Sequence, residues 1–111
     1  MQTLEEWIIQ LRKTNKLIIV EGKKDKRALE QLGIHDILTL NKPLFAVVES
    51  VAALTKECII LSDLDKEGRK IYSILKEGLQ RNGVKVDNKF REFLFRKTKI
   101  KQIEAIRLND S

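Results

Sequence analysis

The sequence predicts an α/β domain in which a mainly parallel sheet of about four strands carries helices on both faces. Short, continuous apolar runs such as LIIV at residues 17–20 are typical of strands that are covered on both sides. These runs alternate with segments of helical periodicity, which is the rhythm of a parallel sheet with crossover helices. With 111 residues, of which 42% are hydrophobic, we expect residues 1–111 to form a single domain around one core.

The chain begins with a predicted amphipathic helix at residues 3–14. Thr3 and Glu6 have the spacing of a capping box at its start. Apolar residues then recur at helical spacing, namely Leu4, Trp7, Ile8 and Leu11. We therefore expect residues 1–15 to add one helix to a core of residues 16–108, with Trp7 as a core residue or an interface anchor.

The middle of the chain continues the alternation of strands and helices. The predicted elements are a helix at 25–32 ended by Gly33, a strand at 37–40, a turn at 41–43, a helix at 44–56, a strand at 58–62 and a helix at 67–82 followed by Gly83. The start of the helix at 44–56 is also compatible with an extended segment, because Phe45 to Val48 are largely β-branched or aromatic.

The last quarter of the chain has weaker patterns. Residues 84–86 predict a short strand, and Asn88 is placed to cap a helix that runs to about residue 97. The segment 100–108 is compatible with a strand or a helix, and we favour a strand at residues 103–106.

Composition narrows the classes of partner. A net charge of +6 and a pI near 9.6 permit a polyanion such as nucleic acid, although basic clusters also occur on ordinary solvated surfaces; the clusters lie at 12–16, 23–27 and 96–101. The chain has no apolar run long enough for a membrane span and no signal-peptide pattern at its start, so we expect a cytoplasmic protein without membrane contact. Cys58 lies inside an apolar run and is expected to be buried and structural.

Carboxylates follow two of the predicted strands. Glu21 comes directly after the run at 17–20, while Asp63 and Asp65 follow the strand at 58–62 in the stretch IILSDLDKEG. Because the carboxyl ends of parallel strands share one edge of the sheet, we expect the three carboxylates to lie together. Such a cluster suits Mg²⁺, which takes oxygen ligands and completes its shell with water and phosphate. Glu21 is a candidate general acid or base, because neighbouring carboxylates favour its protonated form.

Simpler interpretations of these acids remain open. Asp65 has the position of an N-cap for the following helix, and Glu21 could be a surface charge at a strand end. Two glycines accompany the acids. Gly22 would allow a sharp turn after the first strand, and Gly68 lies in the first helical turn, where a side chain would block access.

The ordered set Glu21-Gly22, then Asp63-x-Asp65-x-x-Gly68, resembles the Toprim domain shared by topoisomerases, bacterial primases, OLD-type nucleases and recombination mediators. The words IIVEGKKDKRAL and IILSDLDKEGRKI are similar to those of small, stand-alone, primase-like Toprim proteins. They are also similar to the Toprim domain of the nuclease that matures five-S ribosomal RNA. The resemblance covers residues 16–108 and implies a Rossmann-like Toprim fold.

The resemblance also implies roles for individual residues. It implies that Asp63 and Asp65 bind Mg²⁺, for which Mn²⁺ could substitute, and that Glu21 is a general acid or base or a further metal ligand. Gly22 and Gly68 would shape the rim of the site. Lys23 and Arg27 stand where they could contact phosphate, although a solvated helix start explains them equally well.

Some members of the Toprim class are disfavoured by what the chain lacks. Tyr72, the only tyrosine, lies inside a predicted helix and is not placed as a topoisomerase nucleophile; one cysteine and one histidine cannot form a zinc site. We therefore expect a Mg²⁺-dependent protein acting on RNA or DNA phosphodiesters, as a nuclease or in a primase-related reaction. The alternatives are a non-catalytic binding module, which could work within a larger assembly, and a protein that binds a small phosphorylated ligand.

Overall fold

The computed structural model describes residues 1–107, and within them the predicted α/β fold is confirmed. The helices are α1 Leu4–Lys13, α2 Lys23–Gln31, α3 Leu44–Leu54, α4 Lys66–Arg81 and α5 Lys89–Lys97, followed by a 3₁₀ turn at Ile103–Ala105. The strands are β1 Leu17–Val20, β2 Ile37–Thr39, β3 Glu57–Leu61 and β4 Lys85–Asp87. In this part of the chain no helix is both long and apolar enough to cross a membrane.

The four strands form one parallel sheet in the order β2-β1-β3-β4. The two central strands, β1 and β3, pair along the whole of β1, and Val20 pairs with Leu61 at their carboxyl ends. The segments that follow these two strands therefore leave the sheet side by side. This register brings Glu21, which follows β1, beside Ser62 and Asp63, which follow β3.

Side chains of the central strands alternate between two cores. Ile18 and Val20 of β1 face a core that contains side chains of α1, α2 and α5, whereas Ile19 faces a second core built with α3 and α4. Since both faces of a parallel sheet are covered, the strands carry continuous apolar runs instead of alternating ones. Cys58 is fully buried in the second core, as predicted.

Helix α1 is attached to the core through Trp7. Its start follows the predicted cap, since Thr3 Oγ1 accepts a hydrogen bond from the Glu6 amide at 3.1 Å. The Trp7 side chain is fully buried, and its Nε1 donates a hydrogen bond to the Phe90 carbonyl at 2.8 Å. Trp7 is therefore a core residue that ties α1 to α5.

The C-terminal prediction at residues 103–106 is wrong. A 3₁₀ turn occupies Ile103–Ala105 instead of a strand. Ile103 and Ile106 are both buried, and a spacing of three residues brings two side chains to one side of a 3₁₀ turn. The Ile103 amide, which a strand would pair with a neighbouring strand, donates to a carboxylate of Asp63. Leu108, the end of the predicted core, lies outside the described residues.

Element boundaries differ by smaller amounts. Helix α2 begins at Lys23, two residues before the predicted start, because Gly22 is extended and the Asp25 carboxylate accepts a hydrogen bond from its amide. Helix α3 ends at Leu54, since Thr55 has extended backbone angles.

Candidate functional site

The carboxylates of Glu21 and Asp63 belong to segments that meet at the carboxyl edge of the sheet. Glu21 follows β1 directly, and the acidic loop, defined as residues 62–65, follows β3. Glu21 Oε2 accepts a hydrogen bond from the Asp63 amide at 2.8 Å. The strand register thus places the first predicted acid against the backbone of the second.

The two aspartates of the acidic loop are each held by a backbone amide. Asp63 Oδ1 accepts a hydrogen bond from the Ile103 amide at 2.8 Å. Asp65 is the N-cap of α4, and its Oδ1 accepts from the Gly68 amide at 2.8 Å. The capping interpretation of Asp65 therefore describes a real contact, but this contact uses only one of its two carboxylate oxygens.

One oxygen of each carboxylate remains uncommitted within residues 1–107. Glu21 Oε1, Asp63 Oδ2 and Asp65 Oδ2 receive no hydrogen bond from that part of the chain. Each side chain is thus oriented by a backbone amide and keeps one oxygen for another partner. Within the same residues, no three or more side chains of His, Cys, Asp or Glu are arranged to hold a metal ion by themselves. An ion at this edge would need ligands from water or substrate.

The carboxylate oxygens of the acidic loop fit a hard cation whose remaining ligands come from water or substrate. Mg²⁺ in proteins keeps several waters and is commonly held by one or two carboxylates together with phosphate oxygens. Asp63 and Asp65, on one short loop, can supply carboxylate oxygens of this kind. A fully enclosed protein cage is not required.

Burial and mutual repulsion perturb the carboxyl groups at this edge. Burial, reinforced by the nearby carboxylates Asp25, Glu21 and Asp65, raises the pKa of Asp63 to about 6, while the hydrogen bond from Ile103 opposes the rise. Burial also raises the pKa of Glu21, and the bond from the Asp63 amide partly offsets it. The edge is therefore electronegative and would gain from a cation.

Sequence reasoning missed a fourth carboxylate, Asp25. Its side chain is only 7% exposed, and Oδ2 accepts a hydrogen bond from the Gly22 amide at 3.0 Å. Burial is the main cause that raises its pKa. The signal for this residue was its position three residues after Gly22 at a helix start, which is the spacing of a cap.

Sequence reasoning also missed Arg91, a buried cation behind the acidic loop. Its Nε donates to the Ser62 carbonyl at 3.0 Å and its Nη2 to the Asp63 carbonyl at 2.6 Å. The guanidinium carbon lies 4.6 Å from the centre of the Tyr72 ring. No pattern singles out Arg91, because it sits among the buried phenylalanines of α5.

The two predicted glycines differ in their surroundings. A methyl group at Gly68 would overlap the Asp63 carbonyl and lie 2.9 Å from the Asp63 Cα, so the acidic loop packs directly on this position. The constraint is therefore contact with the loop backbone rather than access for a substrate. At Gly22 the nearest atom to an added methyl group would be Asp25 Oδ2 at 3.8 Å, which leaves room for a side chain.

The predicted basic residues lie at the start of α2. Lys23 and Arg27 are both exposed, and neither forms an ion pair within the described part of the chain. They follow Gly22 closely and remain candidates for phosphate contact. Tyr72 is partly buried beside Arg91, in agreement with a packing role.

Comparison with known proteins identifies the family. The model of the Toprim domain matches residues 16–108. The chain belongs to the Toprim domain family. This match confirms the resemblance inferred from Glu21-Gly22 and the DxDxxG stretch, and it covers the same residues.

Relatives of this Toprim chain share most of its length. A UPF0292 protein of Methanocaldococcus jannaschii is 32% identical over 111 residues, which cover 96% of this chain and 85% of that protein. A UPF0292 protein of Pyrococcus abyssi is 38% identical over 105 residues, with 92% and 80% covered. A solved structure of a protein from Aquifex aeolicus superimposes with a TM-score of 0.89 at 38% identity and covers 96% of this chain and 100% of its own.

Proposed function

We propose that this Toprim protein is a Mg²⁺-dependent enzyme that hydrolyses nucleic-acid phosphodiesters. The observation that carries the proposal is the hydrogen bond from the Asp63 backbone amide to Glu21, which joins the segments after two neighbouring strands while the Glu21 and Asp63 carboxylates each keep an uncommitted oxygen. The basic net charge of +6 supports a polyanionic substrate. The proposal treats the chain as one domain, in which residues 1–15 add α1 to the Toprim core.

Asp63 and Asp65 are the proposed Mg²⁺ ligands. Each is already oriented by a backbone amide, so little side-chain entropy remains to be lost when an ion binds. Bound Mg²⁺, or Mn²⁺ in its place, would neutralise charge on the phosphate that is attacked. Burial, and after it the repulsion from neighbouring carboxylates, raises the pKa of Asp63, and the same ion would relieve that repulsion.

Glu21 is the proposed acid–base residue. Burial raises its pKa from the ordinary range of a carboxyl group, which brings it closer to the pH at which proton transfer is efficient. Its uncommitted Oε1 could accept a proton from an attacking water or return one to a leaving oxygen. The exposed Lys23 and Arg27 would contact flanking phosphates on the same side of β1.

The test is a cleavage assay with single- and double-stranded RNA and DNA in Mg²⁺ or Mn²⁺. Asp63→Asn and Asp65→Asn should each abolish metal-dependent cleavage, because they remove ligand charge while an amide oxygen can still accept the same backbone hydrogen bond. Circular dichroism should stay close to that of the wild type, and neither variant should unfold at a lower temperature. Undiminished cleavage in both variants would contradict the proposal.

Asp36→Asn is a matched control for these substitutions. Asp36 is exposed and precedes β2, at the amino edge of the sheet, far along the strand direction from the acidic loop. Its φ of 61° is a value that asparagine tolerates well. The same change of carboxylate to amide should therefore leave cleavage unchanged.

A second candidate function is a nucleic-acid binding module without chemistry of its own. The observation in its favour is that all three carboxylates make structural hydrogen bonds, and that residues 1–107 provide no complete metal cage. This alternative predicts salt-dependent binding of RNA or DNA with no cleavage under any metal condition. Asp63→Asn would then leave affinity unchanged or raise it by reducing repulsion.

A further inference from the structure

A recess lined by aromatic and basic side chains lies beside the acidic loop, between α4 and α5. It measures about 200 Å³, and its walls are formed by Arg69, Tyr72, Asn88, Arg91, Glu92 and Phe95. Arg91 joins the recess to the loop, because its guanidinium donates hydrogen bonds to the Ser62 and Asp63 carbonyls. A ligand in the recess would thus be one side chain away from the proposed metal ligands.

The aromatic side chains offer a surface for stacking. Phe95 is 57% exposed, although a phenylalanine of that size normally contributes to a core. Tyr72 is partly buried, and the Arg91 guanidinium stacks over its ring at 4.6 Å. The stacking surface is therefore the exposed ring of Phe95, because the Arg91 guanidinium and the Lys76 ammonium already lie over the Tyr72 ring in the wall.

The charge of the recess favours an anionic ligand. The carboxylate of Glu92, the acid in its wall, forms an ion pair with Arg96 on the next turn of α5. Arg69 has no ion-pair partner within residues 1–107. It lies on α4 one turn after the N-cap Asp65, so the recess and the acidic loop adjoin the same end of this helix.

These features describe a ligand with a flat, conjugated group attached to an anion. We propose that the recess is a subsite for one unpaired nucleobase. Arg69 would contact the phosphate next to this base, and the strand would continue from there to the acidic loop. The proposal rests on the proposed function and adds its substrate class, which is single-stranded or looped-out nucleic acid. A volume of about 200 Å³ is below the ~300–1,000 Å³ of whole-ligand pockets and suits one base.

Base pairing is incompatible with this geometry. A base that enters the recess must leave the helical stack of its own strand. Unstacking is least costly where no partner strand is present. The proposal therefore predicts a preference for single strands over blunt duplexes of equal length.

The experiment measures fluorescence anisotropy of labelled strands of about ten nucleotides, which lies within the usual site size of single-strand binding domains. Ca²⁺ replaces Mg²⁺ so that binding is read without cleavage. Three probes of equal length are compared: an intact single strand, an abasic strand with the same backbone, and a blunt duplex. The wild type should bind the intact strand about tenfold more tightly than the abasic strand.

Substitutions at Phe95 identify the recess as the source of that preference. Phe95→Ala should lower affinity for the intact strand about tenfold and leave the abasic strand unaffected, whereas Phe95→Tyr keeps the ring and should bind as the wild type does. Phe45→Ala is the matched control, because Phe45 is 71% exposed but lies on α3, away from the recess. It should not change affinity for any probe.

Each other outcome overturns the proposal. If the wild type binds intact and abasic strands equally and Phe95→Ala has no effect, the recess does not hold a base while the proposed function stands. If no strand binds at low salt, both proposals fail together. If Phe95→Ala changes the sedimentation of the unliganded protein instead of its affinity for strands, Phe95 serves a contact between protein chains.

Discussion

The acidic rim, which consists of Glu21, Gly22 and the acidic loop at the carboxyl edge of the sheet, has two halves that are held in different ways. The half that follows β1, with Glu21 and Gly22, rests on two carboxylate–amide hydrogen bonds and has room around its glycine. The half that follows β3 is enclosed: Arg91 binds its carbonyls, the Ile103 amide binds Asp63, and the loop backbone packs on Gly68.

This difference between the two halves fits their proposed roles, which are metal binding on the β3 half and proton transfer on the β1 half. The β3 half has more backbone contacts, which would hold the carboxylates proposed to bind metal in place before an ion binds. The β1 half is less constrained, which suits a residue proposed to exchange protons. Substitutions that disturb backbone contacts should therefore cost more stability on the β3 half than on the β1 half.

The largest expected effect is that of Gly68→Ala. Its methyl group would overlap the Asp63 carbonyl, and backbone atoms on both sides must move to accommodate it. We expect a loss of about 3 kcal/mol in the free energy of unfolding, at the upper end for overpacked sites. Urea denaturation followed by circular dichroism measures it.

Gly22→Ala is the paired control on the β1 half. An added methyl group would meet no atom closer than 3.8 Å, and the φ of −143° is open to any residue. The expected loss is less than about 1 kcal/mol, as for an N-cap glycine replaced by alanine. Equal losses at the two glycines would show that the two halves are constrained alike.

The next effect in size is that of Arg91→Met. Methionine keeps much of the buried stem but leaves the Ser62 and Asp63 carbonyls without their donors. Hydrogen bonds from a charged donor contribute ~1.5–3 kcal/mol, so we expect a destabilisation of about 2 kcal/mol by the same denaturation assay.

Arg96→Met provides the comparison for Arg91. Arg96 lies on the same helix, and its exposed ion pair with Glu92 should contribute no more than about 0.5 kcal/mol. If the two arginine variants unfold at the same urea concentration, Arg91 does not anchor the acidic loop.

The ends of the central strands were predictable from the sequence, because each apolar run and the acid that follows it are close together in the chain. The run at 17–20 and the stretch IILSDLDKEG placed Glu21, Asp63 and Asp65 at one edge of a parallel sheet, and the sheet has that form. The contacts that fix the β3 half join residues far apart in the chain: Arg91 lies 28 residues from Asp63, and Ile103 lies 40 residues from it. No local periodicity encodes such pairs.

The strand predicted at 103–106 failed for the same reason. The pattern IEAI has apolar residues three apart, which suits a turn of 3₁₀ helix as well as the end of a strand. What decides between them is the Asp63 carboxylate, which takes the Ile103 amide, and the Asp63 position is known only once the sheet is formed. Gly68 was likewise recognised, but its steric reason required the path of the loop above it.

Apart from the control variants, the smallest expected effect is a pH dependence of stability that originates at Asp63. Burial raises the pKa of Asp63 to about 6 in the folded protein, against about 3.9 for an unfolded aspartate. The folded state therefore binds more protons between these values, and stability without metal should fall as pH rises from about 4 to about 6. Allowing for solvent screening, we expect a fall of ~1–2 kcal/mol at this site.

Asp63→Asn should reduce that slope to the part contributed by Glu21 and Asp25, whose pKa values burial also raises, whereas Asp36→Asn should leave the slope intact. Protons and Mg²⁺ compete for the same carboxylate, so saturating Mg²⁺ should raise the unfolding temperature more at pH 8 than at pH 5 in the wild type. In Asp63→Asn this difference should shrink. If stability does not change between pH 4 and 6 in the wild type, or if its slope is undiminished in Asp63→Asn, then ionisation of the buried Asp63 does not destabilise the fold.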